Sequence, residues 1–117
     1  MHTAFYDVAL EGHLHIATLR PGRLRILDIG YGTGIWAIEM AQKYPQADII
    51  AIDIGNDHPM VDDFVFRVDF RSGVDFTSNF WGLENQEGTF DLVHAALLCG
   101  SVPDWKAFYA KIARYGL

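Results

Sequence analysis

Residues 25–34, Arg-Ile-Leu-Asp-Ile-Gly-Tyr-Gly-Thr-Gly, constrain this chain more than any other stretch. An apolar run with the composition of a strand meets an acidic residue, Asp28, and then glycines at alternate positions, Gly30, Gly32 and Gly34. A helix-forming segment, Ile35 to Lys43, follows at once. Glycine adopts positive φ easily and lets backbone approach a ligand, because no Cβ stands in the way. Strand, glycine turn and helix N-terminus together form a receptor for a nucleotide-type ligand. The architecture that carries such a turn is an open α/β sheet, with the ligand beyond the C-terminal ends of the strands.

Two ligand classes compete for this turn, dinucleotides and S-adenosylmethionine. The dinucleotide pattern is G-x-G-x-x-G, with its third glycine packing helix against strand. That glycine would fall at position 35, which is Ile35; the chain has Gly34 instead. Asp28 argues further against a pyrophosphate, since its carboxylate would repel phosphate but attract a cationic amino group. The next landmark is Asp53, closing the apolar run Ile49-Ile50-Ala51-Ile52. It lies roughly 20 residues past the turn, where an acid that accepts hydrogen bonds from ribose hydroxyls is expected. An exposed strand-end Asp is the plainer alternative.

The run from Arg25 to Ala41 resembles the first motif of class I S-adenosylmethionine-dependent methyltransferases. Within that superfamily the chain is most similar to the fungal methyltransferase-like proteins of secondary metabolism. The likeness rests on Thr33-Gly34-Ile35-Trp36-Ala37, on Phe90-Asp91-Leu92-Val93-His94-Ala95, on Leu98 to Trp105, and on Leu10 to Ala17 ahead of the first motif. It implies a Rossmann-like sheet with parallel strands in the order 3-2-1-4-5-7-6. It also implies cofactor contacts from Asp28, Gly30, Tyr31, Gly32, Gly34, Asp53, Ile54, Asp69 and His94, with Asp69 near the adenine amino group. His94, at the end of the fourth strand, is the candidate general base, and a packed structural His is the alternative. The subgroup usually has arginine after the His-Ala pair, whereas this chain has Ala96. The chain ends at Leu117, short of the turn that precedes the family's fifth strand. The expected content is one domain over residues 1–117, the cofactor-binding half of the fold, truncated after the fourth strand and fourth helix (order 3-2-1-4).

Composition narrows the partners. Half the residues are hydrophobic, which disfavours disorder. A net charge of −6 with nine Lys and Arg disfavours binding to a phosphate backbone. No apolar run approaches the roughly 20 residues that span a bilayer. The first residues lack the basic and apolar regions of a secretory leader, and the lone Cys99 fits a reducing compartment. Cytoplasm or nucleus is the expected location. His13 and His15 are two metal-ligand types without a nearby third, so no metal is expected.

Periodicity and turn residues place the elements. The spacing predicts strands at Arg25–Ile29, Asp48–Ile52, Phe64–Val68 and Phe90–Ala95, and helices over 34–43 and from about Pro103-Asp104 to Arg114. Ile35, Ile38 and Ala41 are expected to pack beneath the first of these helices, and Trp105, Phe108 and Ile112 beneath the second. Trp36 reads as a packing residue, and Ser101 to Asp104 as helix-start chemistry. Residues 4–19 read as one or two short helices broken at Gly12, and 55–63 as irregular. In the truncated order the fourth strand becomes an edge. Its apolar sequence invites pairing, so a homo-oligomer or a completing partner chain is expected there.

The leading reading is methyl transfer from S-adenosylmethionine to a small molecule or protein. One alternative is a catalytically inactive subunit or regulator. Another is a methyltransferase-like fold used for cofactor-independent cyclisation, with Tyr6, His13 and His94 shaping a pocket.

Overall fold

The computed structural model describes residues 5–10, 24–55, 68–78, 81–97 and 103–116. Among these residues there are five strands and two α-helices: β1 (Phe5–Leu10), β2 (Arg25–Ile29), α1 (Ile35–Lys43), β3 (Asp48–Ile52), β4 (Val68–Arg71), β5 (Leu92–Leu97) and α2 (Trp105–Ala113). All strand pairs are parallel, and the order across the sheet is β1-β5-β2-β3-β4. Omitting β1, this is the expected 3-2-1-4 arrangement.

Apolar residues alternate between the two faces of the sheet. Leu27, Ile29, Ile50, Ile52, Val93 and Ala95 face a core closed by Phe108, Ile112 and Tyr115 from α2 and its C-terminal end. Ile26, Ile49, Ala51 and Leu92 face the other way, against Trp36, Ala37 and Met40 of α1. Strands buried on both faces read as continuous apolar runs, which is why β2 and β3 fall at the boundaries read from sequence. Asp104 caps α2, its side chain accepting from the Ala107 N–H at 3.1 Å. Phe108 and Ile112 are buried as expected, and Trp105 is half-buried.

The structure corrects several expectations. Phe5–Leu10 is a strand, not helix; its register along β5, Phe5 beside Leu92 through Leu10 beside Leu97, decides its conformation. It also removes the exposed edge expected at the fourth strand, because β1 covers β5 on the side away from β2. The third predicted strand lies later than Phe64–Val68, at Val68–Arg71, with 64–67 outside the described residues. The fourth begins two residues later, at Leu92, because Phe90 pairs instead with Gly116 after α2. Ile35 is 57% exposed rather than packed, and Trp36, Ala37 and Met40 take the inward positions. Gly12, His13, His15 and Ser101 lie outside the described residues.

The α2-side core is bound together by Trp81. Its ring stacks on Tyr115 at 5.0 Å, its Nε1–H donates to the Phe76 carbonyl at 3.1 Å, and the Lys111 ammonium lies 4.4 Å from the ring centre. Deleting a buried indole leaves a cavity as well as lost transfer energy. Trp81→Ala is therefore expected to lower unfolding free energy by about 3–5 kcal/mol in urea denaturation. A loss under 1 kcal/mol would show that the 76–84 segment contributes little to the core.

Candidate functional site

The glycine turn hangs on the end of β3. The Gly30 and Tyr31 N–H groups both donate to the Ile52 carbonyl, at 2.8 and 3.2 Å, and the Gly34 N–H donates to the Tyr31 carbonyl at 2.8 Å. Gly30, Gly32 and Gly34 have φ of 78°, 57° and 84°. Residues with a Cβ adopt these left-handed angles at a cost of about 1–2 kcal/mol each, so the alternation of glycines is a backbone requirement. A Cβ built on Gly32 would meet no protein atom within 4 Å. The space it would fill is open.

Asp53 closes the turn from the next strand. Its Oδ2 accepts from the Gly32 N–H at 2.7 Å and its Oδ1 from the Gly55 N–H at 2.9 Å. The same residue is held through its backbone, donating to the Arg71 carbonyl at 3.1 Å and accepting from the Val74 N–H at 2.9 Å. Each carboxylate oxygen retains a lone pair for a ligand. Ile54, beside it, is 55% exposed, an apolar surface at the mouth of the crevice.

Asp28 is the unusual member. It is 1% exposed, and neither carboxyl oxygen has a hydrogen-bond partner. Burial, reinforced by the negative charge of Asp53, pushes its pKa from 3.8 up to about 8. Strand register sets Asp28 beside Ala51 on one side and His94 on the other, on the α1 face of the sheet. His94 is also buried, and the Trp36 indole lies flat on its ring, with 3.8 Å between centroids and 5° between planes. The Trp36 Nε1–H is buried without an acceptor.

Of the residues read from sequence, the structure thus brings together Asp28, Gly30, Gly32, Gly34 and Asp53, with Ile54 at the rim and His94 behind Asp28. Tyr31 points its ring inward against Phe70, edge to face at 5.1 Å, and contributes backbone to the turn. Asp69 does not join them. It lies within β4, in register with Ile50 of the opposite face, and its exposed carboxylate is taken by Arg71 at 2.9 Å. Trp36 is the residue whose site position sequence reading missed. Its signal is its place in the first turn after Gly34, but the His94 contact spans 58 positions, from 36 to 94, and no local pattern shows it. Among the described residues no group of three His, Cys, Asp or Glu could hold a metal. Among them, too, no helix is long and apolar enough to cross a membrane.

A raised carboxyl pKa has a definite consequence for stability. The folded chain keeps the Asp28 proton up to about pH 8, whereas the unfolded chain releases it near 3.8. Between those values the folded state binds more protons, so stability falls as pH rises, by up to about 1.4 kcal/mol per pH unit. Asp28→Asn removes this slope. Its unfolding free energy relative to wild type is expected to increase between pH 5.5 and pH 8.5 in urea denaturation, and parallel profiles for the two proteins would refute a buried neutral acid. Gly32→Ala, with no clash but a left-handed φ, is expected to cost only about 1 kcal/mol in the same assay; a loss above 3 kcal/mol would mean the space is not open.

Comparison with known proteins agrees with this geometry. A family profile described as a methyltransferase domain matches residues 2–115. The chain is 41% identical over 114 residues to the secondary metabolism regulator LAE1 of Cochliobolus heterostrophus, covering 92% of this chain and 34% of that protein. It is 42% identical over 92 residues to the secondary metabolism regulator laeA of Monascus pilosus, covering 79% and 24%. It is 38% identical over 111 residues to the protein-methionine methyltransferase laeA of Emericella nidulans, covering 92% and 27%. The chain thus spans about a quarter to a third of the length of these relatives. No solved structure matches it significantly. Fold, glycine turn and sequence kinship converge: the chain belongs to the methyltransferase-domain family.

Proposed function

We propose that this chain binds S-adenosylmethionine and serves methyl transfer in fungal secondary metabolism or its regulation, with a small molecule or a protein side chain as acceptor. The observation that carries the reading is Asp28, a buried carboxyl with two unpartnered oxygens beside three left-handed glycines. A buried acid without a partner is a site waiting for a cation, and the α-ammonium of a methionine head supplies one. The open space over Gly32 admits the ligand close to backbone, and Asp53 offers acceptor oxygens to ribose hydroxyls. When bound, S-adenosylmethionine supplies a methyl group made electrophilic by its sulfonium.

The chain's own contribution is binding and alignment. Asp53 holds both the glycine turn and the Gly55 loop, so ribose recognition and turn shape depend on one carboxylate. Ile54 and Ile35, both exposed, give the crevice apolar rims. His94 is buried beneath Trp36, which makes it a support for the site rather than a group in contact with the acceptor. The names of the relatives support the biological setting, and that of one of them names a protein methionine as acceptor.

Calorimetry tests the reading. S-adenosylmethionine and its demethylated product are expected to bind, and Asp53→Ala is expected to weaken both by about 10–100-fold, the value of hydrogen bonds to a charged group. Because Asp28 is protonated in the free chain at pH 7 and must ionise against an ammonium, binding is expected to release a proton. Observed enthalpies should then vary with the ionisation enthalpy of the buffer. Absence of heat at millimolar ligand would end the cofactor assignment; binding without proton release would place the ammonium elsewhere.

A further inference from the structure

Two buried polar groups of opposite character border the same imidazole. Asp28 offers acceptor oxygens and Trp36 offers an indole N–H donor, and none of these atoms has a hydrogen-bond partner in the protein. Asp28 lies beside His94 in strand register, and the Trp36 ring lies flat on His94. Adjacent strands are about 4.8 Å apart, so one imidazole has the orphan acceptor on its flank and the orphan donor on its face.

The end of α1 adds a third feature on the side of Trp36. Trp36 is the second residue of this nine-residue helix, whose N-cap, Gly34, has no side chain to accept from the first turn. No acidic residue lies in that turn. The free N–H groups and the positive end of the helix dipole are therefore unneutralised where the indole N–H also lacks an acceptor. A cation suits Asp28, and an anionic acceptor suits Trp36 and the helix end. The α-ammonium and α-carboxylate of an amino acid meet both demands from a single carbon atom.

We propose that Trp36 is a specificity-determining residue whose indole N–H hydrogen-bonds the carboxylate of a ligand's amino-acid head, while Asp28 holds the ammonium of the same head. The proposal rests on the S-adenosylmethionine reading and deepens it, assigning recognition of the methionine end to a side chain. Stacking on His94 fixes the plane of the indole and so confines its N–H to that plane, which lessens the ordering needed on binding. Both partners lie out of water, where a charge-assisted hydrogen bond is stronger and discriminates harder against ligands lacking the matching group.

The test compares S-adenosylmethionine with its decarboxylated form, which keeps nucleoside, sulfonium and ammonium but lacks the carboxylate. Calorimetry with the full chain is expected to show about tenfold weaker binding of the decarboxylated ligand to wild type. Trp36→Phe, which keeps an aromatic ring for His94, is expected to bind both ligands with equal affinity, close to that of wild type for the decarboxylated one. Equal binding of both ligands by wild type overturns the proposal and leaves the cofactor reading intact. A tenfold preference retained in Trp36→Phe overturns it too, by assigning the carboxylate to other donors. Should wild type bind neither ligand, the cofactor reading fails and this inference with it. A measurement on wild type guards against a Trp36→Phe protein that does not fold. The Nε1–H proton resonance of Trp36 is expected to move downfield with S-adenosylmethionine and to stay with the decarboxylated ligand; an unmoved resonance in both cases refutes the donor role.

Discussion

A carboxyl group held out of water with nothing to bond to is the constraint on which this molecule's arrangement depends. Removing a carboxylate from solvent without a partner is so unfavourable that the group gives up its charge instead, and Asp28 does so. Even neutral, its unsatisfied oxygens cost the fold on the order of 1–3 kcal/mol. Such a defect persists only where the surrounding structure over-determines it. Here the surroundings are β3 on one side, β5 on the other, and α1 above, all locked by parallel register and apolar packing.

The two faces of the sheet divide the labour. On the α2 side, Phe76, Trp81, Phe90, Phe108 and Tyr115 form an aromatic core in which the Trp81 indole N–H is satisfied by the Phe76 carbonyl. The α1 side contains the unsatisfied atoms of Asp28 and Trp36. Aromatic packing on the α2 face, where Arg25 Nε is buried without a partner over the Phe90 ring, offsets the polar strain around Asp28 and Trp36 on the other. That is the pattern expected of a domain that holds a ligand site at the expense of its own stability.

Much of this is legible in the sequence. Arg25–Ile29 and Asp48–Ile52 are short β-branched runs bounded by turn residues, so periodicity and flanks agree; the glycine turn follows because three left-handed residues need three glycines. The misreadings have equally local causes. Phe5–Leu10 carries no helical period strong enough to resist pairing along β5, and tertiary contact overrode propensity there. Ile35 stands on the same helical face as Glu39 and Gln42, at i, i+4 and i+7, so its exposure was readable from spacing. Asp69 was misplaced because the strand carrying it runs on to Arg71, which sets its side chain against the opposite face. The stack of Trp36 on His94 has no sequence signature, since it depends on register between strands far apart in the chain.

The apolar fourth strand shows how a sound physical demand can be met by an unexpected supplier. An unpaired edge of that composition is a hazard, and the sequence alone assigns its cover to a second copy or a partner chain. The chain meets the demand with its own residues 5–10, in parallel register over six positions. That choice has a consequence at the site. β1 sets Asp7 in register with His94 on the side opposite Asp28, so His94 sits between strands that each carry an acidic residue at its level. The row that supports the glycine turn is therefore completed by β1, which lies on the far side of β5 from the turn. Anything that detaches β1 also uncovers the strand on which His94, and through it Trp36, depends for position.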